Sequence, residues 1–397
     1  MTRTLITGIG TVVSGDIHAP LLDVDSIVIV DGRIEAVGDR LADEETDADV
    51  VIDARGTTVM PGLIDSHVHP TLGDFTPRQR TLDFIESSLH GGVTTAVSAG
   101  EPHVPGRPRD IAGLKALAIA VNHAYAAFRP GGVKVHAGAP ILELGMTEAD
   151  FAELGAAGVR LIGEIGLGSV KRGADAAPMV AWGRAHGLVS TYHTGGPSLA
   201  GSGAITADDV LEARPHIAAH VNGGTTSLPE SDIERLVADA PDIAIELVHC
   251  GNGRTALRAL AIAAAAGVLD RVILGNDAPS GTGVVPLGIL RLIAHLASLG
   301  AVAPETVVAL ATGNTARVHG LEQGIILPGR PADLVIADAP VGSVATDALG
   351  ALGAGDLPGI SMVLIDGEPR IGRSRNTAPA ARAAEITRGL AIGGGGH

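Results

Sequence analysis

Two histidines separated by a single residue, His67 and His69, follow an apolar run that begins at Val59. Side chains at i and i+2 of a strand point the same way, so both imidazoles would face one point at the tip of a short buried strand. That is a metal-ligand spacing, and the pattern recurs. The segment 159–164 ends in Glu164, 189–193 in His193, 216–220 in His220 and 272–277 in Asp277. Taken singly, each has a plainer reading, as a helix cap or a satisfied core histidine. Taken together they put four imidazoles and two carboxylates at the ends of apolar segments. Six ligating groups exceed the three protein ligands usual for one catalytic zinc. They fit two divalent ions about 3.5–4 Å apart that share a carboxylate. The donors suit zinc or iron, with manganese or nickel also compatible, and disfavour copper(I) and calcium. The expected division gives His67, His69 and Asp277 to one ion and His193 and His220 to the other, with Glu164 bridging. Asp65 precedes the pair on the same side and is expected to orient a ligand imidazole as its hydrogen-bond acceptor.

These residues need elements that bring them to one place. Apolar segments at 63–68, 93–98, 132–137, 159–164, 189–193, 216–220, 243–249 and 271–276 read as strands. Helical patterns at 77–90, 108–128, 147–156, 175–187, 228–239 and 252–267 lie between them, and Thr206-Ala-Asp-Asp opens another helix with a capping-box-like start. Eight strand–helix units with short links give an α/β fold, a (β/α)8 barrel whose site lies at the C-terminal strand ends. An open doubly wound sheet is the rival, but no glycine-rich dinucleotide fingerprint follows the early strands. Residues 1–60 instead alternate short β runs with turns, and Asp31-Gly32 is a strong hairpin signal. Similar runs at 333–337 and 362–367 suggest that residues 1–60 and 320–385 form one composite β-sandwich around a barrel spanning 61–319. Residues 386–397 are expected to be a flexible tail.

Composition narrows the class. Apolar residues make up 46% of the 397 and aromatics 2%, so the core must be Ala, Val, Leu and Ile, the filling of strands buried on both faces. A formal charge of −16 argues against nucleic acid. Cys250 is the one cysteine, which excludes an intramolecular disulfide and suggests a reducing, cytoplasmic setting. The start lacks the apolar core of a signal peptide, and no apolar stretch approaches the ~18 residues of a membrane span.

Two motifs carry a family resemblance. Pro61-Gly-Leu-Ile-Asp-Ser-His-Val-His69 resembles the strand-one motif of the amidohydrolase superfamily, and Pro328-Gly-Arg-Pro-Ala-Asp-Leu-Val335 its return into the small β domain. The resemblance implies a distorted barrel of the amidohydrolase type with a β-sandwich made from both termini. Many members bridge their metals with a carboxylated lysine on strand four. Glu164 stands in that place here, which removes any need for bicarbonate. Within the superfamily the chain is similar to the enamidase family in Leu89-His-Gly-Gly-Val-Thr-Thr95, Gly163-Glu-Ile-Gly-Leu-Gly168, His193-Thr-Gly-Gly196 and Gly275-Asn-Asp-Ala-Pro-Ser-Gly-Thr-Gly283. That resemblance implies hydrolysis of a carboxylated cyclic amide, 1,4,5,6-tetrahydro-6-oxonicotinate, to 2-formylglutarate and ammonia, by a homotetramer. The alternatives are another cyclic amidohydrolase of hydantoinase, dihydroorotase or dipeptidase type, or a non-catalytic scaffold. Such scaffolds lose metal ligands, whereas all six positions are filled here.

On this reading Asp277 is the catalytic acid–base group, taking a proton from the attacking water and returning it to the leaving group. A carboxylated substrate calls for a cation near the rim. Arg78, Arg107 and Lys171 are the candidates, with His136, read as ending strand three, as a further hydrogen-bond donor. Backbone amides of Gly195-Gly196 and Gly223-Gly224 could line the pocket. Cys250 is better read as a small buried thiol than as a nucleophile, since no base or oxyanion partner accompanies it.

Overall fold

The computed structural model describes residues 2–39, 41, 47–70, 83–100, 106–197, 202–223, 226–279 and 283–389. Eight parallel strands form its centre: β1 (Leu63–Val68), β2 (Val93–Ser98), β3 (Lys134–His136), β4 (Leu161–Ile165), β5 (Val189–His193), β6 (Ile217–Ala219), β7 (Ala244–Val248) and β8 (Val272–Gly275). They run as two arcs, β1 to β3 and β4 to β8. The arcs join at both seams. Asp277 N donates to His67 O at 2.9 Å and His69 N to Ala278 O at 3.0 Å. Across the other seam Gly163 N donates to Pro140 O at 3.0 Å and Glu164 N to Ala99 O at 2.8 Å. The ring is therefore a closed, distorted (β/α)8 barrel.

Helices α1 (Asp83–Leu89), α2 (Ile111–Ala127), α3 (Glu148–Ala156), α4 (Gly173–Ala185), α5 (Ala207–Ala213), α6 (Glu230–Asp239), α7 (Gly253–Ala265) and α8 (Gly288–Leu299) surround it. Their starts are chemically marked. Asp110 and Asn252 accept the backbone N–H groups of Gly113 and Thr255, and Thr206 with Asp209 forms a reciprocal capping box at α5. A later helix, Gly313–His319, closes the N-terminal end of the barrel. Its Ala316 packs with Ile64, Val97 and Leu161, and Val318 with Ile217, Ala244 and Ile273. The barrel interior is thus a solid aliphatic plug beneath the C-terminal rim.

Both chain ends contribute to two further sheets. Strand Leu334–Asp338 pairs with Thr58–Pro61 on one side and Gly359–Ile365 on the other. Strand Arg3–Thr7 pairs with Ser26–Val30 and Val50–Asp53. The Asp31-Gly32 hairpin forms, with φ of 46° and 79° at its two turn residues, the left-handed pair such a turn requires. The inner faces, among them Ile6, Ile27, Ile52, Val59, Ile336 and Leu364, interlock as one apolar layer. Residue 386 does not open a tail, because Glu385–Arg388 is an edge strand paired with Val50–Asp53; residues 390–397 lie outside the described residues. One apolar residue, Ile386, in register with Ile52, is too weak a local pattern to announce a strand. Among the described residues no helix is long and apolar enough to cross a membrane.

Candidate metal centre

The six singled-out ligating residues converge at the C-terminal ends of the barrel strands, and all are buried. His67 lies near the end of β1 and His69 just past it. Glu164 is in β4, His193 ends β5, and His220 and Asp277 follow β6 and β8. The ring centroids of His67 and His69 are 5.1 Å apart, those of His67 and His220 5.3 Å, and those of His193 and His220 4.5 Å. Three overlapping sets, His67–His69–Glu164, His67–His220–Asp277 and Glu164–His193–His220, each bring one potential ligand atom per residue within 4.8 Å of the others.

Glu164 divides its carboxylate between the two groups of imidazoles. Oε1 lies 2.8 Å from His193 Nδ1 and 2.7 Å from His220 Nε2, whereas Oε2 lies 3.7 Å from the Nε2 atoms of both His67 and His69. Asp277 Oδ1 faces the same pair, 3.2 Å from His69 Nε2 and 3.7 Å from His67 Nε2. His67 Nδ1 is 2.8 Å from Glu246 Oε2, and His69 Nδ1 is 2.7 Å from the Gly100 carbonyl oxygen. Carbonyl and carboxylate oxygens only accept, so both Nδ1 atoms carry a proton and both Nε2 atoms turn to the centre. His67 Nε2 and His220 Nδ1 are buried without a hydrogen-bond partner among the described residues. Buried polar atoms normally find one, and an imidazole nitrogen left open beside two carboxylates fits a cation.

The electrostatics agree. Burial penalises the charged forms of both His67 and His220. It is outweighed at His67 by Glu246 and Glu164, and at His220 by Glu164, so both imidazoles titrate above their usual range. Burial likewise opposes ionisation of Glu164 and Asp277, but the surrounding imidazoles hold both carboxyls well below the carboxylate range. Both are therefore anionic near neutral pH.

Local backbone explains how the side chains reach this point. His220 and Asp277 have φ of 32° and 60°, left-handed conformations that non-glycine residues seldom adopt. They turn the chain sharply at the tips of β6 and β8. Gly275 leaves room for the first histidine, since a Cβ there would lie 2.6 Å from His67 Cβ.

Glu246 is the residue sequence reasoning missed. It sits in the middle of the otherwise apolar β7, accepts from His67 and from the Ser66 hydroxyl, and lies 3.3 Å from the His220 backbone nitrogen. The signal was present, because a carboxylate inside a fully buried strand is rare unless paired. Asp65, expected in that orienting role, instead accepts the backbone N–H groups of His67 and Asn276 at 3.1 and 2.9 Å and so ties β1 to β8. Burial pushes its carboxyl up to about 7.

The proposed substrate contacts fare differently. Arg78 lies outside the described residues. Both terminal nitrogens of Arg107 lie 3.3 Å from Glu143 Oε1, so an internal carboxylate already occupies it. His136 is not at the rim. The chain runs on past it to Pro140, whose carbonyl accepts from Gly163 in β4, so His136 faces the opposite end of the barrel. Lys171 lies in the loop after β4, where its carbonyl accepts from the Tyr192 hydroxyl at 2.8 Å. The amides of Gly195, Gly196 and Gly223 donate to Ile205, Thr226 and His220 carbonyls and are engaged within their own loops. Cys250 is half-buried, its Sγ 3.9 Å from Asn276 Oδ1.

Comparison with known proteins agrees with this geometry. The model of the Amidohydrolase family matches residues 193–369. Enamidase of Eubacterium barkeri is 54% identical over 97% of this chain and 100% of its own. A crystal structure of enamidase superposes with a TM-score of 0.93 at 53% identity, covering 97% of this chain and 100% of that one. A β-aspartyl dipeptidase from Fervidobacterium islandicum shares the fold, with a TM-score of 0.66 at 19% identity over 94% of this chain and 98% of its own.

Proposed function

This chain belongs to the amidohydrolase family, and on that premise we propose that it hydrolyses 1,4,5,6-tetrahydro-6-oxonicotinate, a cyclic amide, to 2-formylglutarate and ammonia. The likeness to the E. barkeri enamidase over nearly the whole of both chains supports this substrate. The observation that carries the chemistry is the split carboxylate of Glu164, one oxygen toward His193 and His220 and the other toward His67 and His69. His67, His69 and Asp277 would hold one divalent cation and His193 and His220 a second, with Glu164 shared between them. Two such ions supply Lewis acidity toward the amide carbonyl and make a nucleophilic water available near neutral pH. Imidazole and carboxylate donors without thiolate fit zinc or iron, with manganese also compatible.

The protein's own groups then manage protons. Asp277 is ionised and faces the centre, so it accepts the proton of the attacking water and returns it to the departing nitrogen. Cleavage of the ring C–N bond leaves an enamine, which takes a proton at carbon and becomes an imine. A second water converts the imine to the aldehyde and releases ammonia. Of the cations weighed for the substrate carboxylate, Lys171 is retained, in the loop after β4. The single cysteine supports a reducing, cytoplasmic setting, and the homotetramer follows from the family resemblance.

The test is to incubate the purified protein with the lactam and follow ammonia and aldehyde together, with hydantoin, dihydroorotate and simple lactams as a panel. The two products should appear in equal amounts and fastest from the oxo-nicotinate. Faster turnover of a panel member would transfer the assignment to that amide. Careful preparations free of any transition metal would point to the scaffold reading.

A further inference from the structure

The end of the barrel opposite the histidine cluster carries a second concavity, of about 770 Å3. Its wall is built where strands begin and helices end. Leu161 and Val189 open β4 and β5, His216 immediately precedes β6, and the C-terminal parts of α2, α4 and the closing helix Gly313–His319 form the sides. Catalysis in this fold uses the other face, so the proposed chemistry does not account for the hollow.

Its lining is one-sided in charge. Five cationic side chains contribute and no carboxylate does. Two of the five are committed. Lys134 bonds Asp333 and Asp366, and Arg129 bonds Asp366. The other three, Arg160, Arg184 and Arg317, are exposed and meet only carbonyl oxygens, of Gly155 and Val159, of Arg214 and of Asp270 respectively. None of them meets a carboxylate among the described residues. In a chain of net charge −16, three uncompensated arginines around one hollow are a local reversal of field.

Helix dipoles explain part of this, since Arg184 and Arg317 lie in last helical turns where a cation is favoured by roughly 0.3–1 kcal/mol. They do not explain Arg160, which belongs to no helix. Nor do they explain the three histidines of the lining. His136 Nε2 and both ring nitrogens of His319 are shielded from solvent without a hydrogen-bond partner among the described residues. His216 Nδ1 is satisfied by Ser190. Buried polar atoms left unpaired beneath a basic mouth mark a place where an acceptor-rich ligand fits.

We propose that this hollow binds a small organic carboxylate with a cyclic apolar body, separately from the catalytic centre. The carboxylate meets Arg160, Arg184 and Arg317, a fork geometry suited to it, and the ring lies on Val189, Val318 and Leu321, the half-buried apolar side chains of the lining. The volume is that of an ordinary small-molecule site. Burial holds all three imidazoles down to about 4, so they stand neutral and offer donors without adding charge.

The single tryptophan provides the readout. Trp182 lies on α4 two residues before Arg184, at the helix end that walls the hollow rather than at the strand tips that carry the histidine cluster. The test titrates the full-length metal-loaded protein with benzoate and phthalate at fixed ionic strength, following Trp182 fluorescence and the thermal midpoint. Chloride and inorganic phosphate serve as controls. A saturable fluorescence change is expected, with the Kd raised about tenfold or more in R184M/R317M and, independently, in R160M, while kcat/KM on the lactam stays at the wild-type value. Absence of saturation by about 10 mM, an equal response to phosphate or chloride, or unchanged affinity in both variants would overturn the proposal.

Discussion

At the residue scale two carboxylates on the same barrel end carry different predictions. Asp277 faces the imidazole pair and is ionised. Asp277→Asn keeps its shape and left-handed backbone and removes only the basic oxygen. The variant should retain most of its metal and lose about 10^3-fold or more in kcat; near-normal turnover would remove Asp277 from proton transfer. Glu246 never faces the centre directly but holds His67 through Nδ1. Glu246→Gln should therefore lower metal affinity by about 10–100-fold, measured by equilibrium dialysis, with activity restored by excess metal. Unchanged affinity would reduce Glu246 to a packing role. The contrast also marks what the sequence could and could not disclose. Histidine at a strand tip is visible as a spacing, whereas Glu246 and Asp65 each lie inside a β run, and only the register between β1, β7 and β8 decides which of them orients His67. That register comes from pairing across the barrel, which no local pattern encodes.

At the element scale all eight strand segments stand where alternating apolar runs placed them, because a parallel strand buried on both faces announces itself as a short aliphatic block. What failed was the end of one block. His136 closes the apolar run of β3, yet the chain turns at Gly138 and runs on to Pro140, whose carbonyl accepts from Gly163, so the rim lies beyond the histidine. A small and proline-containing stretch such as Ala137–Pro140 carries no pattern that shows the barrel wall extending past the strand. The tips themselves depend on close backbone approach, and Gly275→Ala tests this. A methyl 2.6 Å from His67 Cβ must displace β1 or β8. The variant should fold, bind metal less tightly and lose activity, with the loss of metal paralleling the loss of rate in a metal titration; full metal content at normal affinity would show that the strands adjust freely. A second element-level joint is the buried ammonium of Lys134, which bonds Asp333 at 2.8 and 2.9 Å and Asp366 at 2.6 Å, tying β3 to the sheet made from both termini. Lys134→Met leaves Asp333 buried and unpaired, which costs about 3–5 kcal/mol. Denaturant unfolding should show that loss as a lower midpoint, and a change below about 1 kcal/mol would mean water or another cation already satisfies Asp333.

At the scale of the whole molecule, stability should depend on pH through histidines far from the centre. Burial holds His90, His136, His216 and His319 each down to about 4, whereas in the unfolded chain each binds a proton near 6.5. Between those values the unfolded state holds more protons, so stability rises with pH there and is lost as pH falls from about 6.5 toward 4. For the two most enclosed, His136 and His319, the shift corresponds to on the order of 3 kcal/mol each. Asp65, raised to about 7, acts in the opposite sense, since its folded form keeps a proton that the unfolded chain has already released; His67 and His220, raised above 6.5, oppose the trend only at the upper end of the range, because below about 6.5 they are protonated in both states. One such carboxyl does not offset four imidazoles. Thermal midpoints measured from about pH 7 to about pH 4.5, with chelator present so that metal release adds nothing, should therefore fall for the wild type. They should fall less steeply for H136Q/H319Q, whose amides cannot titrate. Parallel slopes in the two proteins would show that the hollow at the barrel's N-terminal end admits water freely and that its imidazoles titrate as exposed ones do.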